Sequence, residues 1–466
     1  MKRENAWKTY SAEQLAELEA LAVRYKSFLD AGKTERECTR EAVRIAKEHG
    51  YRNLEDVIKA GEKLKAGDKV YAVCMNKMIA MFHMGTKPLS EGMRILGAHI
   101  DSPRLDLKQN PLYEDTEMAF LDTHYYGGVK KYQWVTIPLA IHGVVAKKDG
   151  TVVDVCIGEK EDDPVVFVSD LLIHLAGEQM EKKARVVIEG EALDVLVGSR
   201  PAVPEEDGDK EKEKEAVKAG ILSILKEKYG MEEDDFLSAE LEIVPADKAR
   251  DCGLDRSMIM AYGQDDRVCA YTSFEAQLDI ETQPYTCCCL LVDKEEIGSV
   301  GATGMQSRFF ENTVAELMNC AGEYSELSLR RCLSSSRMLS SDVSAAYDPL
   351  YASAFEKKNS AYFGKGLVFN KYTGSRGKSG SNDANAEYVA AIRAMLEKHQ
   401  VAYQTAELGK VDIGGGGTIA YISALYGMEV IDSGVAVLNM HAPLEVTSKS
   451  DIYEAKKGYL AFLQEA

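Results

Sequence analysis

The sequence is short of positive charge. Its 466 residues include 56 Lys and Arg against 75 Asp and Glu, which gives a formal net charge of -19 at pH 7. A chain with this balance repels phosphate backbones and anionic membrane surfaces. We therefore expect neither a nucleic acid nor a membrane as partner.

Long apolar runs, a secretion signal and paired cysteines are also missing. No apolar run approaches the ~20 residues that cross a bilayer, and the opening MKRENAW lacks the apolar core of a signal peptide. The ten cysteines contain no CxxC pair. The triplet Cys287–Cys289 is typical of small buried side chains on a strand rather than of a thiolate site. These absences predict a reducing, cytoplasmic location.

What is present is an ordinary globular composition, with 45% hydrophobic and 28% charged residues, in a chain long enough for two or three domains. Helical and strand patterns alternate on both sides of a strand-rich stretch. Within this stretch we predict strands at residues 134–137 and 165–168. We predict an α/β fold, a mixed sheet flanked by helices, formed by residues 1–103 and 251–466. Residues 104–250 form an inserted, mostly β domain. Within it, the mixed charge run 204–215 is expected to be a solvated loop.

Local signals place several elements near the start of the chain. Ser11 with Gln14, and Thr34 with Glu37, have capping-box spacing and predict the starts of two helices. Residues 70–83 read as a hairpin that leads to the next strand.

Histidines and carboxylates follow several predicted strands. In open α/β sheets, sites lie beyond the carboxyl ends of the strands. The residues at these ends are His99 and Asp101, Asp265 and Asp266, Glu295 and Glu296, Asp342, and His441. A set of this kind, far apart in sequence, indicates a metal site.

A pair of divalent ions needs a bridging carboxylate, further ligands for each ion, and open positions for water and substrate. We assign His99 to one ion, Asp265 to the bridge, Glu296 and Asp342 as carboxylate ligands, and His441 to the other ion. Ligands rich in carboxylate and free of cysteine favour zinc, with Mn or Co as alternatives.

Two acids are left for other roles. Asp101 follows His99 by two residues and could accept the free N–H of the imidazole. Glu295 has no ligand role and is suited to act as general base on a metal-bridging water.

Several of the candidate ligands also have a purely structural explanation. His99 could be a core histidine, Asp265 and Asp266 an acidic helix start, and Asp342 a turn cap.

Assembled in order, these motifs resemble the aspartyl aminopeptidase or aminopeptidase I family of dinuclear zinc metallopeptidases. The motifs are HIDSP at 99–103, QDDR at 264–267, DKEEIG at 293–298, SDV at 341–343 and MHAPLE at 440–445. The resemblance implies a cytoplasmic enzyme that removes amino-terminal residues from peptides and assembles as a tetrahedral dodecamer through the inserted domain. It also implies that His174 completes a neighbouring subunit's site.

The sequence departs from the family pattern at two places. The family's Leu-Asp-Asn is replaced by Gln264-Asp265-Asp266, so the choice of Asp265 over Asp266 depends on the register. Relatives that prefer substrates with acidic amino-terminal residues carry a basic residue beside the stretch that contains Asp383 here. In this sequence, only Lys378 is in reach of Asp383 along the chain. We therefore expect neutral or basic amino-terminal residues as substrates, with Asp383, Lys378 and Gly416 of the glycine run 414–417 as substrate contacts.

Two other functions remain open on the residues alone. An amide deacylase or carboxypeptidase-like hydrolase of small molecules would use much the same ligands. A catalytically idle cage protein, assembled through the β domain, belongs to a different class. Loss of turnover in Glu295→Gln, with assembly retained, would exclude the cage.

Overall fold

The computed structural model of the chain describes residues 4–202 and 214–465. Most of the charge run 204–215 lies outside these ranges. The chain forms two compact units. The first unit comprises the described parts of 1–102, 249–440 and 445–466, and the second those of 103–248 and 441–444. The catalytic and assembly roles expected for the two parts stay predictions.

In the part of the chain that the structure describes, twenty strands form three sheets. The strands are β1 (Arg52–Asn53), β2 (Lys69–Cys74), β3 (Met78–His83), β4 (Met93–His99), β5 (Arg104–Asp115), β6 (Met118–Tyr126), β7 (Leu139–Ala146), β8 (Val152–Ile157), β9 (Val195–Gly198), β10 (Ala239–Pro245), β11 (Arg250–Cys252), β12 (Met258–Ala261), β13 (Thr286–Val292), β14 (Arg337–Ser341), β15 (Ser344–Ala345), β16 (Leu367–Asn370), β17 (Tyr403–Thr405), β18 (Glu429–Gly434), β19 (Ala436–Leu438) and β20 (Glu445–Ser448).

The described residues also form eleven α-helices. They are α1 (Ala12–Ala31), α2 (Glu35–Glu48), α3 (Leu54–Ala60), α4 (Gly177–Met180), α5 (Ala216–Tyr229), α6 (Gln264–Asp279), α7 (Phe309–Ala321), α8 (Glu326–Ser335), α9 (Ala386–Lys398), α10 (Ala420–Ala424) and α11 (Lys449–Glu465). Within the described ranges, no helix is both long enough and apolar enough to span a membrane.

The first unit is built on a nine-stranded mixed sheet in the order β1-β2-β3-β13-β4-β14-β18-β16-β17. Its four neighbouring strands β13, β4, β14 and β18 are parallel. Their carboxyl ends therefore meet at one edge of the sheet, which is the edge where sites form in such folds. A smaller sheet, β11-β12-β20-β19-β15, belongs to the same unit.

Apolar side chains cover both faces of the large sheet, which makes β13 buried along its whole length. Its cysteines alternate between the faces: Cys287 and Cys289 pack in one core cluster, and Cys288 in the other. Burial raises the pKa of the Cys289 thiol and of its neighbours. The prediction of small buried side chains is confirmed.

Local capping signals are confirmed at both predicted helix starts. The Ser11 side chain accepts the N–H of Gln14, and the Thr34 side chain accepts that of Glu37, each within a complete capping box. The hairpin is confirmed as β2 and β3, which pair antiparallel across a turn at 75–77.

The second unit contains a six-stranded antiparallel sheet in the order β8-β7-β10-β5-β6-β9. Two predicted strands within it are wrong. Residues 134–137 form bends, because Thr136 adopts a φ of 62° and Pro138 follows the segment. Residues 165–168 form only isolated bridges, at Val166 and Phe167.

Candidate metal centre

Three parallel strands end at the same level of the first unit's sheet. His99 is the last residue of β4 and pairs with Val292, the last residue of β13. On the other side of β4, Ser340 of β14 pairs with Gly97, so Asp342 follows at the same edge. The topology therefore brings His99, the acids after β13, and Asp342 to one place.

Six side chains converge there and are called the acidic cluster below: His99, Asp265, Asp266, Glu295, Glu296 and Asp342. They fall into three groups of three, and the ligand atoms within each group lie within 4.8 Å of one another.

The imidazole of His99 lies at the centre of these contacts. Its Nε2 atom is 3.4 Å from Asp265 Oδ1, 3.9 Å from Glu295 Oε2 and 4.0 Å from Asp342 Oδ1. His99 is only 2% exposed. Because only one imidazole faces five carboxylates, the cluster is strongly acidic.

Asp101 supports the cluster from behind. Its backbone oxygen lies 3.0 Å, and its Oδ1 atom 3.3 Å, from Nδ1 of His99. Both atoms are acceptors, so Nδ1 carries a proton, and Nε2 is the ring atom that faces the acids. Asp101 thus lies behind the imidazole, and its role there stays a prediction.

The same Asp101 carboxylate also binds the segment that follows β13, the neighbouring strand of the sheet. Its Oδ1 accepts the backbone N–H of Glu295 at 3.1 Å, and its Oδ2 accepts that of Glu296 at 3.2 Å. The chain reaches this position through a left-handed residue, Lys294 with φ 67°, and a short 3₁₀ turn. On a straight strand two adjacent acids would face opposite ways, whereas this turn brings Glu295 and Glu296 into the cluster together.

Burial and mutual repulsion shape the ionisation of the acids. Burial, followed by the negative charge of Glu295, raises the pKa of Asp342. Burial also raises the pKa of Asp266. Burial opposes protonation of His99, but hydrogen bonds to Asp101 and Asp265 outweigh it and raise the pKa of the imidazole. Crowded acids of this kind are stabilised when a cation binds, and oxygen and imidazole donors fit zinc.

Asp265 belongs to two of the three groups of possible ligands. It belongs both to the group with His99 and Glu296 and to the group with Asp342. Asp266 is fully buried and belongs only to the latter. This placement supports Asp265 over Asp266 as the bridging residue.

Two predicted site residues lie in the second unit. His441 is half-buried, with φ 65°, and its Nδ1 lies 2.9 Å from the backbone oxygen of Gly128. His174 lies in a turn and is exposed. Neither belongs to the three groups, so their roles stay predictions.

The expectation that only Lys378 could reach Asp383 is wrong, because Lys371 also contacts Asp383. Its carboxylate contacts both Lys371 Nζ and Lys378 Nζ, the latter at 3.0 Å. These lysines lower the pKa of Asp383 and neutralise its charge. Lys378 also lies 3.7 Å from the centre of the Tyr372 ring.

Gly416 lies beside the same loop. Its carbonyl accepts the N–H of Gly374 at 2.6 Å, and the loops 372–378 and 407–415 line a cavity of about 150 Å³. Substrate contacts by Gly416, Lys378 and Asp383 stay predictions.

Two residues that contact the cluster's backbone had no predicted role. The Ser102 hydroxyl donates to the carbonyl of Asp265 at 2.9 Å, and Glu445 Oε2 accepts the N–H of Asp265 at 2.9 Å. Both belong to the motifs quoted above, HIDSP and MHAPLE, and this was the only signal in the sequence.

Known proteins share this arrangement of sequence and fold. The sequence model of the family described as Aminopeptidase I zinc metalloprotease (M18) matches residues 28–463. The chain belongs to the M18 aminopeptidase family. The "Probable M18 family aminopeptidase 1" of Clostridium acetobutylicum is 65% identical over 459 residues, which cover 98% of this chain and 97% of the relative.

Solved structures of M18 proteins agree with the fold. The crystal structure of the M18 aminopeptidase from Thermotoga maritima has 43% identity and a TM-score of 0.93, with each chain fully covered. The structure described as the mApe1 dodecamer of Saccharomyces cerevisiae shares the fold at 19% identity and a TM-score of 0.74, with 95% of each chain covered. The predicted α/β fold with a mixed sheet is confirmed.

Membership of the M18 family makes the chain a metal-dependent aminopeptidase and a hydrolase. The prediction of this activity is confirmed, and the deacylase or carboxypeptidase-like alternative has no support.

Proposed function

We propose that the acidic cluster holds two divalent metal ions, with zinc as the preferred metal. We also propose that Glu295 acts as general base when the enzyme removes amino-terminal residues from peptides. The observation that carries this proposal is that His99, Asp265, Glu296 and Asp342 belong to overlapping groups, within each of which the ligand atoms lie within 4.8 Å of one another. His441 is proposed as the fifth ligand, from the MHAPLE motif.

When bound, the ions supply a Lewis acid for the peptide carbonyl and lower the pKa of the attacking water. Asp265 is proposed to bridge the two ions, and Asp101 to hold His99 in the tautomer that exposes Nε2. Glu295 takes a proton from the attacking water and returns it to the leaving nitrogen. Its side chain is 16% exposed, which leaves it accessible to a substrate.

The proposed assembly is a homo-oligomer, a tetrahedral dodecamer as the motifs imply. A turn in the second unit supports a subunit surface because it exposes four large apolar side chains, Leu171, Leu172, Ile173 and Leu175. His174, in the same turn, is proposed to complete a neighbouring subunit's site. The yeast relative's structure is described as a dodecamer. We propose a cytoplasmic location and peptide substrates.

Glu295→Gln tests the proposed base. Its rate should fall by about 10²- to 10⁴-fold, because a positioned general base contributes that much. The zinc content, measured by plasma mass spectrometry, should stay at that of the wild type. A matched control is Glu62→Gln, an exposed acid paired with Arg52, which should leave both quantities unchanged. Wild-type turnover by Glu295→Gln would refute the assignment.

A further inference from the structure

Glu445 is a buried acid, and nothing above gives it a chemical role. It is the first residue of β20 and is 1% exposed. A buried carboxylate is costly unless hydrogen bonds satisfy it. Its location therefore calls for an explanation from its contacts.

The carboxylate of Glu445 contacts the backbone of the proposed bridging ligand. Glu445 Oε2 accepts the N–H of Asp265 at 2.9 Å. A buried backbone N–H needs an acceptor, and losing that acceptor costs about 1–3 kcal/mol. Glu445 is therefore well placed to fix the peptide that carries the Asp265 side chain.

The strand pairing around Glu445 reinforces this contact. β20 pairs antiparallel with β12, with Glu445 opposite Ala261, four residues before Asp265. The amide of Gln264 donates to the backbone oxygen of Glu445 at 2.7 Å and accepts from the Thr447 hydroxyl at 2.5 Å. The start of β20 thus holds both Gln264 and Asp265.

The peptide on the other side of the Asp265 Cα is held as well. The hydroxyl of Ser102 donates to the Asp265 carbonyl at 2.9 Å. Side chains from two distant segments therefore take the N–H and the C=O of Asp265. Fixing both backbone groups sets the position of the Asp265 Cα, from which the carboxylate reaches to 3.4 Å from His99 Nε2.

We propose that Glu445 is a positioning residue that holds Asp265 in the geometry needed to bridge two metal ions, and so sets the affinity for them. This inference rests on the proposed dinuclear site. Residues that hydrogen-bond to metal ligands typically contribute 10- to 100-fold to metal affinity. Glu445 acts through the backbone of Asp265 and belongs to none of the three groups of possible metal ligands.

Zinc titration of metal-free protein, followed by calorimetry, tests the proposal with four variants. Glu445→Ala removes the acceptor and should weaken zinc binding by about 10- to 100-fold. Glu445→Asp keeps the charge on a side chain too short to reach the same N–H, and should also bind more weakly. Glu445→Gln keeps an oxygen acceptor and should retain most of the affinity. Activity lost in Glu445→Ala should return at saturating zinc.

The matched control is Glu454→Ala. Glu454 is also 1% exposed and accepts a backbone N–H, that of Ala402, at 2.6 Å. It lies in α11 and belongs to none of the three groups. Its loss should lower the thermal stability of the protein without changing zinc affinity.

The outcomes separate this inference from the function on which it rests. If the wild type binds no zinc, the dinuclear site itself is refuted, and the role of Glu445 with it. If the wild type binds two ions and Glu445→Ala or Glu445→Asp binds them as tightly, only the role of Glu445 is refuted. An equal loss of affinity in Glu445→Gln or Glu454→Ala would also overturn it. Should Glu445→Ala fail to fold, Glu445→Asp and Glu445→Gln decide.

Discussion

The carboxylate of Asp101 accepts the backbone N–H of Glu295 at 3.1 Å. Asp101, two residues after β4, therefore holds Glu295, three residues after β13, the neighbouring strand in the sheet. Through this contact one buried acid links the orientation of the His99 ring to the position of the proposed base.

Asp101→Asn should break this link. An amide has only one oxygen, so it cannot accept the N–H groups of both Glu295 and Glu296. We expect zinc affinity to fall by about 10- to 100-fold and the free energy of unfolding by about 1–3 kcal/mol, since a buried donor loses its acceptor. Calorimetry and thermal unfolding measure the two effects. The exposed Asp56→Asn is the control, and unchanged zinc affinity in Asp101→Asn would contradict the account.

Removal of metal should lower thermal stability. Five carboxylates of the acidic cluster lie around one imidazole, and they repel one another when no cation is bound. Protein treated with a chelator should therefore unfold at a lower Tm. Zinc added at about 100 times its Kd should raise the free energy of unfolding by about 2.7 kcal/mol, because it binds only the folded protein. The same Tm with and without zinc would show that the cluster does not bind it.

A pH dependence of stability should come from Asp432, a residue of β18 that belongs to none of the three groups of possible metal ligands. Burial raises its pKa to about 7 in the folded state, although the Thr418 hydroxyl donates to Oδ1 at 2.5 Å. Its unfolded pKa is about 3.9. Between these values the unfolded chain has released the proton and the folded chain has not, so stability falls as pH rises from about 4 to about 7.

Asp432→Asn should remove this contribution, because the amide does not ionise and its oxygen can still accept from Thr418. Relative to the wild type, the variant's Tm should be higher at pH 8 than at pH 5. The full effect is on the order of 4 kcal/mol. A Tm difference between the two proteins that is the same at both pH values would refute this role of Asp432.

Substrate preference is testable with a panel of amino-terminal residues. We retain the prediction that leucyl and lysyl peptides are cleaved faster than aspartyl and glutamyl ones, although Asp383 is neutralised by Lys371 and Lys378. Asp383→Ala tests whether Asp383 contacts the substrate. If it does, the substitution should change the order of the kcat/KM values across the panel of amino-terminal residues. Faster cleavage of acidic residues by the wild type would overturn the preference.

Local signals in the sequence were sufficient wherever a few adjacent residues decide the structure. The capping boxes at Ser11 and Thr34 predicted two helix starts because both partners lie within four residues. The convergence of His99 and Asp342 was predictable as well, since parallel strands present their carboxyl ends at one edge.

What the sequence could not predict depends on side chains that meet from distant segments. Lys371 reaches Asp383 across a loop of twelve residues. Glu445 reaches the N–H of Asp265 only because β20 pairs with β12. The bend at Thr136 was missed because its left-handed backbone contradicts the strand preference of the surrounding Trp, Val and Ile.

Crystals grown with zinc and measured at the zinc absorption edge test the central claim most directly. The account predicts two anomalous peaks about 3.5–4 Å apart, as in other two-metal sites, with Asp265 between them and His99, Glu296 and Asp342 around them. A single peak, or zinc bound only outside these residues, would contradict it.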